Sequence, residues 1–239
     1  MTTPDAQPLR IGLLGMYTRH NLGDTAIVQQ ITGELRARIP GCEFVGINRV
    51  PREAVEVHGI PALHSSGYGT PLRADGSVWD EVDRPAPRWL SAGLGTRRIF
   101  KVTRMLDMLL MSGGGQIEDF FGGANSQPRA LFTWVSVARL LGIPVAFWSV
   151  GVDQLTRRSS RLLCVNAVRM GHLRSFRDEG SVDLLREAGM GAECRVDPDP
   201  ALALDTSARN TVDWRDSNLI VVSPISYRTW TEAREDSYD

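Results

Sequence analysis

Two glycine-bearing stretches hold the residues of this chain best placed to do chemistry. The first, Gly15-Met16-Tyr17-Thr18-Arg19-His20-Asn21-Leu22-Gly23-Asp24, follows the apolar run 11–14. The second, Ser112-Gly113-Gly114-Gly115-Gln116, follows the apolar run 106–111. In an open parallel sheet, ligands bind just past the carboxyl ends of the strands. Glycine there lets the backbone come close to a bulky anion and lets φ turn positive. Two such turns in one chain point to a groove for a phosphate- or carboxylate-bearing ligand, although each can also be read as an ordinary strand-to-helix connection. Arg177 and Asp178 lie further on, in Ser175-Phe176-Arg177-Asp178-Glu179-Gly180-Ser181. A guanidinium fork can hold a carboxylate or phosphate through two parallel hydrogen bonds.

These residues need a scaffold, and the pattern around them supplies one. Residues 10–16 read as a strand buried on both faces. A helix is expected over 25–39, where Ile27, Ile31, Leu35 and Ile39 make an apolar stripe, with Asp24 as its cap and Pro40-Gly41 as its stop. Strands are expected over 43–48, 106–111, 143–150, 172–176 and 194–196. Between them fall helices starting at Ser126-Gln127-Pro128 and spanning 158–170 and 182–188, the last capped by Ser181. Strands alternating with helices predict an α/β fold, a doubly wound and mostly parallel sheet with helices on both faces. Periodicity is lost over 65–95, a stretch of loop chemistry containing Trp79 and Trp89, whose rings are expected to pack back onto the core. A polar linker is expected over 205–217, and a strand over 218–222 reads as the truncated start of a second domain.

Composition narrows the function. A net charge of -1 over 239 residues argues against a nucleic-acid partner. Cys42, Cys164 and Cys194 are too far apart for a disulfide framework or zinc site and are expected to be reduced thiols in a cytoplasmic protein. The first seven residues lack the basic and apolar segments of a signal peptide, and no apolar run approaches the ~20 residues of a membrane span. Peripheral membrane association and homo-oligomerisation stay open. There is no three-glycine dinucleotide fingerprint, P-loop lysine, His-Glu-x-x-His or Gly-x-Ser-x-Gly elbow. Asp197-Pro198-Asp199-Pro200 can be read as a paired-aspartate metal site or as a rigid turn, and the turn is preferred, so no metal is expected.

Five elements in register resemble the polysaccharide pyruvyl transferase family over about 10–204: Gly15-x5-Asn21-x-Gly23-Asp24 before Ala26-Ile27, Ser112-Gly113-Gly114-Gly115, Val145-Ala146-Phe147-Trp148-Ser149-Val150-Gly151, the Arg177-Asp178-x-x-Ser181 element, and the Asp199-Pro200 turn. The resemblance implies the Rossmann-like half of a two-domain glycosyltransferase-B type fold. It implies transfer of a pyruvyl group, as a ketal, from phosphoenolpyruvate to a sugar or glycan acceptor, with no cofactor beyond that donor. The implied substrate-binding residues are Gly15, Asn21, Gly23, Asp24, Gly113, Gly114, Gly115, Gln116, Arg177 and Asp178, with Arg177 the best catalytic candidate and Asn21 placed to meet a sugar hydroxyl. Asp24 reads more readily as a helix cap than as a base, and Asp178 and Ser181 also have structural readings. His20 lies in the first turn and can reach the cleft.

The sequence departs from the family at two places. Gly151-Val152-Asp153-Gln154 replaces the family's Gly-x-Gly-Pro turn, and the 65–95 stretch is longer than is usual. The resemblance further implies a second domain that supplies a histidine and an arginine acting on phosphoenolpyruvate, of which this chain is expected to carry only the beginning. The competing expectations are a sugar-nucleotide glycosyltransferase of the same fold and a non-catalytic glycan-binding or partner-completing subunit.

Overall fold

A computed structural model describes residues 7–15, 21–79, 91–120, 122–205, 220 and 222, with the side chains of 91–94 excepted. The chain divides into two units, Met1–Ala203 and Leu204–Asp239. The linker expected over 205–217 and the strand over 218–222 lie outside the described residues, apart from Asp205, Ile220 and Val222.

Within the first unit, β1 (Arg10–Leu14) is followed by α1 (Leu22–Arg38), β2 (Glu43–Asn48), α2 (Pro51–His58), β3 (Ala62–His64) and α3 (Ser91–Thr103). Then come β4 (Met108–Met111), β5 (Gly114–Ile117), α4 (Gln127–Leu140), β6 (Val145–Val152), α5 (Arg158–Arg169), β7 (Leu173–Phe176), α6 (Glu179–Glu187) and β8 (Arg195–Val196). The strands form one sheet in the order β3-β2-β1-β4-β6-β7-β8, with every pair parallel. Strand order runs outward from β1 in one direction and from β4 in the other. The switch point, where an α/β sheet opens a crevice, therefore lies between β1 and β4.

Alternation along the buried strands feeds two cores. Ile11 and Leu13 of β1 pack with Ile27, Val28 and Ile31 of α1 and with Ala54 and Val55 of α2. Leu14 joins the second core with Ile99 and Val102 of α3, Trp134 of α4 and Phe147 of β6. Left-half helices thus cover one face and right-half helices the other, as right-handed crossovers require.

Several elements differ from expectation. Helix α2 and strand β3 were not anticipated: each is short, and Pro51 starts α2 while Gly59, at φ 63°, ends it. The stretch expected to be irregular contains the start of α3, and Leu72 bridges both Ala62 and Val78. Trp79 is buried in the right-half core; Trp89 lies outside the described residues. Strand β4 starts at Met108 because Leu106 donates its N–H to Thr103 and so closes α3. Strand β6 starts at Val145 because Ile143 donates to Ala138 at the end of α4. The second glycine stretch is no strand-to-helix turn. β4 and β5 both pair with β6, Met111 beside Phe147 and Gly114 beside Val150, so the chain kinks at Ser112-Gly113 and resumes as a strand.

Candidate functional site

The kink between β4 and β5 stands at the carboxyl end of β4, next to β1, and three other segments converge on it. Asn21 caps α1, where Asp24 was expected to: its Oδ1 accepts the Asp24 N–H at 3.2 Å. The exchange moves Asp24 into the first turn, where its Oδ2 accepts from Asn21 Nδ2 at 2.8 Å. The other oxygen, Oδ1, occupies space that Gly114 leaves open. A Cβ on Gly114 would stand 2.5 Å from it, and Gly114 has a φ of +93°. Glycine is required here on both counts, for its backbone conformation and for the carboxylate beside it.

Gly113 lies under the strand edge: a Cβ there would meet Ser149 O at 3.0 Å and Ile27 Cγ2 at 3.2 Å. Gly115 faces open space, Gly23 has no side-chain crowding beyond Asn21 Oδ1, and Gln116 is buried with its amide beside Gly114. Gly15 ends β1 and donates its N–H to Ile47, while residues 16–20, His20 among them, lie outside the described residues.

From the far side comes Arg177, at the end of β7. Its guanidinium lies flat on Gly151, whose Cβ would be 2.7 Å from the Arg177 Cζ. Its Nε donates to Asp178 Oδ2 at 3.1 Å, and among the described residues its two terminal nitrogens make no hydrogen bond. Asp178 also caps α6 in place of the expected Ser181, accepting the Ser181 N–H at 2.6 Å. Burial pushes the Asp178 carboxyl up, but hydrogen bonds from Ser181 and the adjoining Arg177 outweigh it and hold it below the usual range. The Ser181 hydroxyl instead accepts from the Val152 N–H at 3.1 Å.

Asp199 completes the cluster and was not foreseen in this role. It opens the short 3₁₀ turn Pro200–Ala203, which packs on α1, and its Oδ1 accepts the Ala201 N–H at 2.9 Å. Burial first, then the Asp199 carboxylate, push Asp24 up from the ordinary 3.8 to about 6, while Arg177 pulls the other way. The sequence signals for Asp199, a pair of proline-bracketed aspartates and the Asp199-Pro200 element of the family resemblance, give no hint of which chain segment it faces. Asp197 turns elsewhere, accepting from the Ser175 hydroxyl at 2.6 Å. Among the described residues, no three His, Cys, Asp or Glu side chains are grouped to hold a metal.

Ser149 marks the centre of the arrangement structurally. It is fully buried at φ +49°, where β6 changes partner from β4 to β5. Its N–H donates to Ser175 Oγ at 3.2 Å, and among the described residues its own hydroxyl finds no partner. A non-glycine residue held in this region costs about 1–3 kcal/mol and is a frequent mark of a functional site.

The fold and site together define a Rossmann-type α/β domain in which Asp24, Arg177 and Asp199 gather past the carboxyl ends of the strands. The chain belongs to the polysaccharide pyruvyl transferase family, whose model matches residues 21–238. It is thereby a member of a transferase family. A search of curated proteins finds no match. Among solved structures, it is similar to the UDP-GlcNAc 2-epimerase of Methanocaldococcus jannaschii, at 14% identity and a TM-score of 0.42, over 77% of this chain and 43% of that one. A structure attributed to a UDP-N-acetylglucosamine 2-epimerase of Listeria monocytogenes is similar at 9% identity, with the same TM-score of 0.42 and the same coverage. This chain therefore spans less than half the length of either structure. Among the described residues, no helix is long and apolar enough to cross a membrane.

Proposed function

We propose that this chain is part of an enzyme that transfers a pyruvyl group from phosphoenolpyruvate to a sugar, closing a ketal on two of its hydroxyls. One observation carries the reading: Arg177, with both terminal nitrogens unengaged among the described residues, stands near enough to Asp24 to draw its pKa down, while burial and Asp199 raise it to about 6. An anionic enol phosphate needs the first group, and a hydroxyl that must lose its proton needs the second.

The chemistry assigns each a task. One acceptor hydroxyl forms a bond to C2 of the donor as C3 takes up a proton. The bond from C2 to the phosphate oxygen then breaks, and the second hydroxyl adds to C2. Of the two hydroxyl protons, one balances the new methyl group and the other leaves with phosphate. Arg177 donates its terminal N–H groups to the donor's phosphate or carboxylate, where positive charge is worth most as the phosphate departs. Asp24 is ionised at neutral pH yet more basic than an ordinary carboxylate, which suits it to take the acceptor proton. Gly115, which pairs with Gly151 on the neighbouring strand, faces open space, so the backbone there can come close to the anion.

Phosphate release from phosphoenolpyruvate by the full natural protein, with a glycan acceptor present, tests this. Release is expected, and an Arg177→Ala variant that keeps its melting temperature should lose it by at least tenfold. Liberation of a nucleotide from a sugar nucleotide, with no phosphate from phosphoenolpyruvate, would instead establish a glycosyltransferase.

A further inference from the structure

A second cavity opens at the same end of the sheet, away from Arg177 and Asp24. It has a volume of about 110 Å³ and lies between the loop after β3, helix α3 and the first turn of α4. Its lining is mixed: Ile99 and Ala130 supply apolar surface, and Ser66, Tyr68, Asn125, Ser126 and Arg129 supply polar groups. The chain has built this lining carefully. Arg98, itself buried, donates from one terminal nitrogen to the carbonyls of both Gly67 and Gly69 at 2.8 Å. The Trp134 indole donates to Ser65 O at 2.6 Å. Ser66 Oγ pairs with His64 Nδ1 at 2.6 Å and accepts the Tyr68 N–H at 3.3 Å. Gly67, at φ +75°, lets the loop press against Gly95, and Gly95 in turn lies against the Tyr68 ring.

A loop fastened at three carbonyls fixes where Tyr68 stands, yet the ring is 38% exposed. Across the cavity, Ser126 is the cap residue of α4 but makes no side-chain cap bond, and neither Asn125 nor Arg129 has a side-chain partner among the described residues. The wall therefore offers a hydroxyl, an amide and a guanidinium, all uncommitted, opposite an aromatic face. Aromatic faces and planar fans of hydrogen-bond groups are how proteins hold sugars: the ring's apolar C–H face stacks while its hydroxyls bond.

We infer that this cavity binds one non-reacting sugar residue of an oligosaccharide acceptor, its ring against Tyr68 and its hydroxyl or acidic edge held by Ser126, Asn125 and Arg129. The volume decides how much enters. At about 30 Å³ per water, the space takes the polar edge of one ring and not a whole ring. Position decides the role. The lining shares no residue with the cluster of Asp24, Gly114, Gly151, Arg177 and Asp199. A subsite outside that cluster suits remote binding energy that seats a longer acceptor.

The inference rests on the proposed glycan acceptor, and its test keeps the two separable. An array of microbial glycans would be probed with the wild-type protein and with Tyr68→Ala, Tyr68→Phe, Arg129→Ala and Arg177→Ala, after melting curves confirm that each is folded. Expected is oligosaccharide binding that falls at least tenfold in Tyr68→Ala and Arg129→Ala, is largely restored in Tyr68→Phe, and survives in Arg177→Ala. In turnover, the same two losses should appear in KM for an oligosaccharide, with kcat and monosaccharide turnover unchanged. Binding indifferent to Tyr68 and Arg129, or no glycan binding at all, overturns the inference. Tyr68-dependent binding without any pyruvyl transfer would refute the enzymatic reading and leave the sugar site standing.

Discussion

Replacing Asp24 with asparagine should make this protein more stable and less active at once. A carboxyl whose proton affinity rises from 3.8 to about 6 is disfavoured in its ionised form by folding. At about 1.4 kcal/mol per tenfold that is a ceiling of about 3 kcal/mol, and partial solvent screening brings it to about 2 kcal/mol. Between about pH 4 and 6 the folded state retains a proton that the unfolded state has released. Stability therefore falls as pH rises through that window and is level above it. Asparagine carries no such charge, and the helix cap survives because its acceptor is Asn21 Oδ1, which receives the residue-24 N–H. Asp24→Asn should thus gain about 2 kcal/mol at pH 8, raising the melting temperature by about 4–8 °C, and gain nothing at pH 4. Activity should drop by about 10²-fold or more, the usual loss when a general base is removed. Thermal melts at pH 4, 6 and 8, with phosphate release at pH 8, check all of this. An Asp24→Asn protein that is destabilised at pH 8 but near wild type in activity would show that the carboxylate serves only the helix terminus.

Other substitutions probe the geometry around it. Gly114→Ala forces a Cβ to 2.5 Å from Asp24 Oδ1 at a φ of +93°; it should cost about 1–2 kcal/mol in chemical denaturation and abolish turnover. Gly151→Ala presses first on the Arg177 guanidinium, the far end of a flexible side chain, with no unusual φ, so it should leave denaturation within about 0.5 kcal/mol of wild type while raising KM for phosphoenolpyruvate about tenfold. Arg98→Met strips two loop carbonyls of their charged donor and should destabilise by about 2–4 kcal/mol in urea melts. A loss under 0.5 kcal/mol would mean that the loop holds without it.

The sequence carried the scaffold where burial enforces pattern. Runs such as Leu109-Leu110-Met111 and Val145-Ala146-Phe147 are apolar because parallel strands are covered on both faces, and the alternation with helices followed. Short elements were harder to see: β3 has three residues and α2 eight, too few for a period to register. Both caps lie three residues N-terminal to the expected ones, Asn21 for Asp24 and Asp178 for Ser181, because each pair carries two polar groups able to cap the same helix end. The β4–β5 kink was legible as glycine but not as strand, since its pairing with β6 is a non-local fact. The same holds for the electrostatics. Arg177 and Asp24 could be named from their motifs, but the link between Asp24 and Asp199 spans 175 positions and exists only once the 3₁₀ turn packs on α1.

Isotope transfer tests the central claim most directly. The full natural protein would be incubated with phosphoenolpyruvate carrying ¹³C at C2 and a glycan acceptor, and the saccharide fraction followed by ¹³C NMR. The account predicts a quaternary ketal carbon on the saccharide, appearing in step with inorganic phosphate and absent from Arg177→Ala. Label that stays in phosphoenolpyruvate or emerges only as free pyruvate, while Arg177→Ala behaves as wild type, would contradict it.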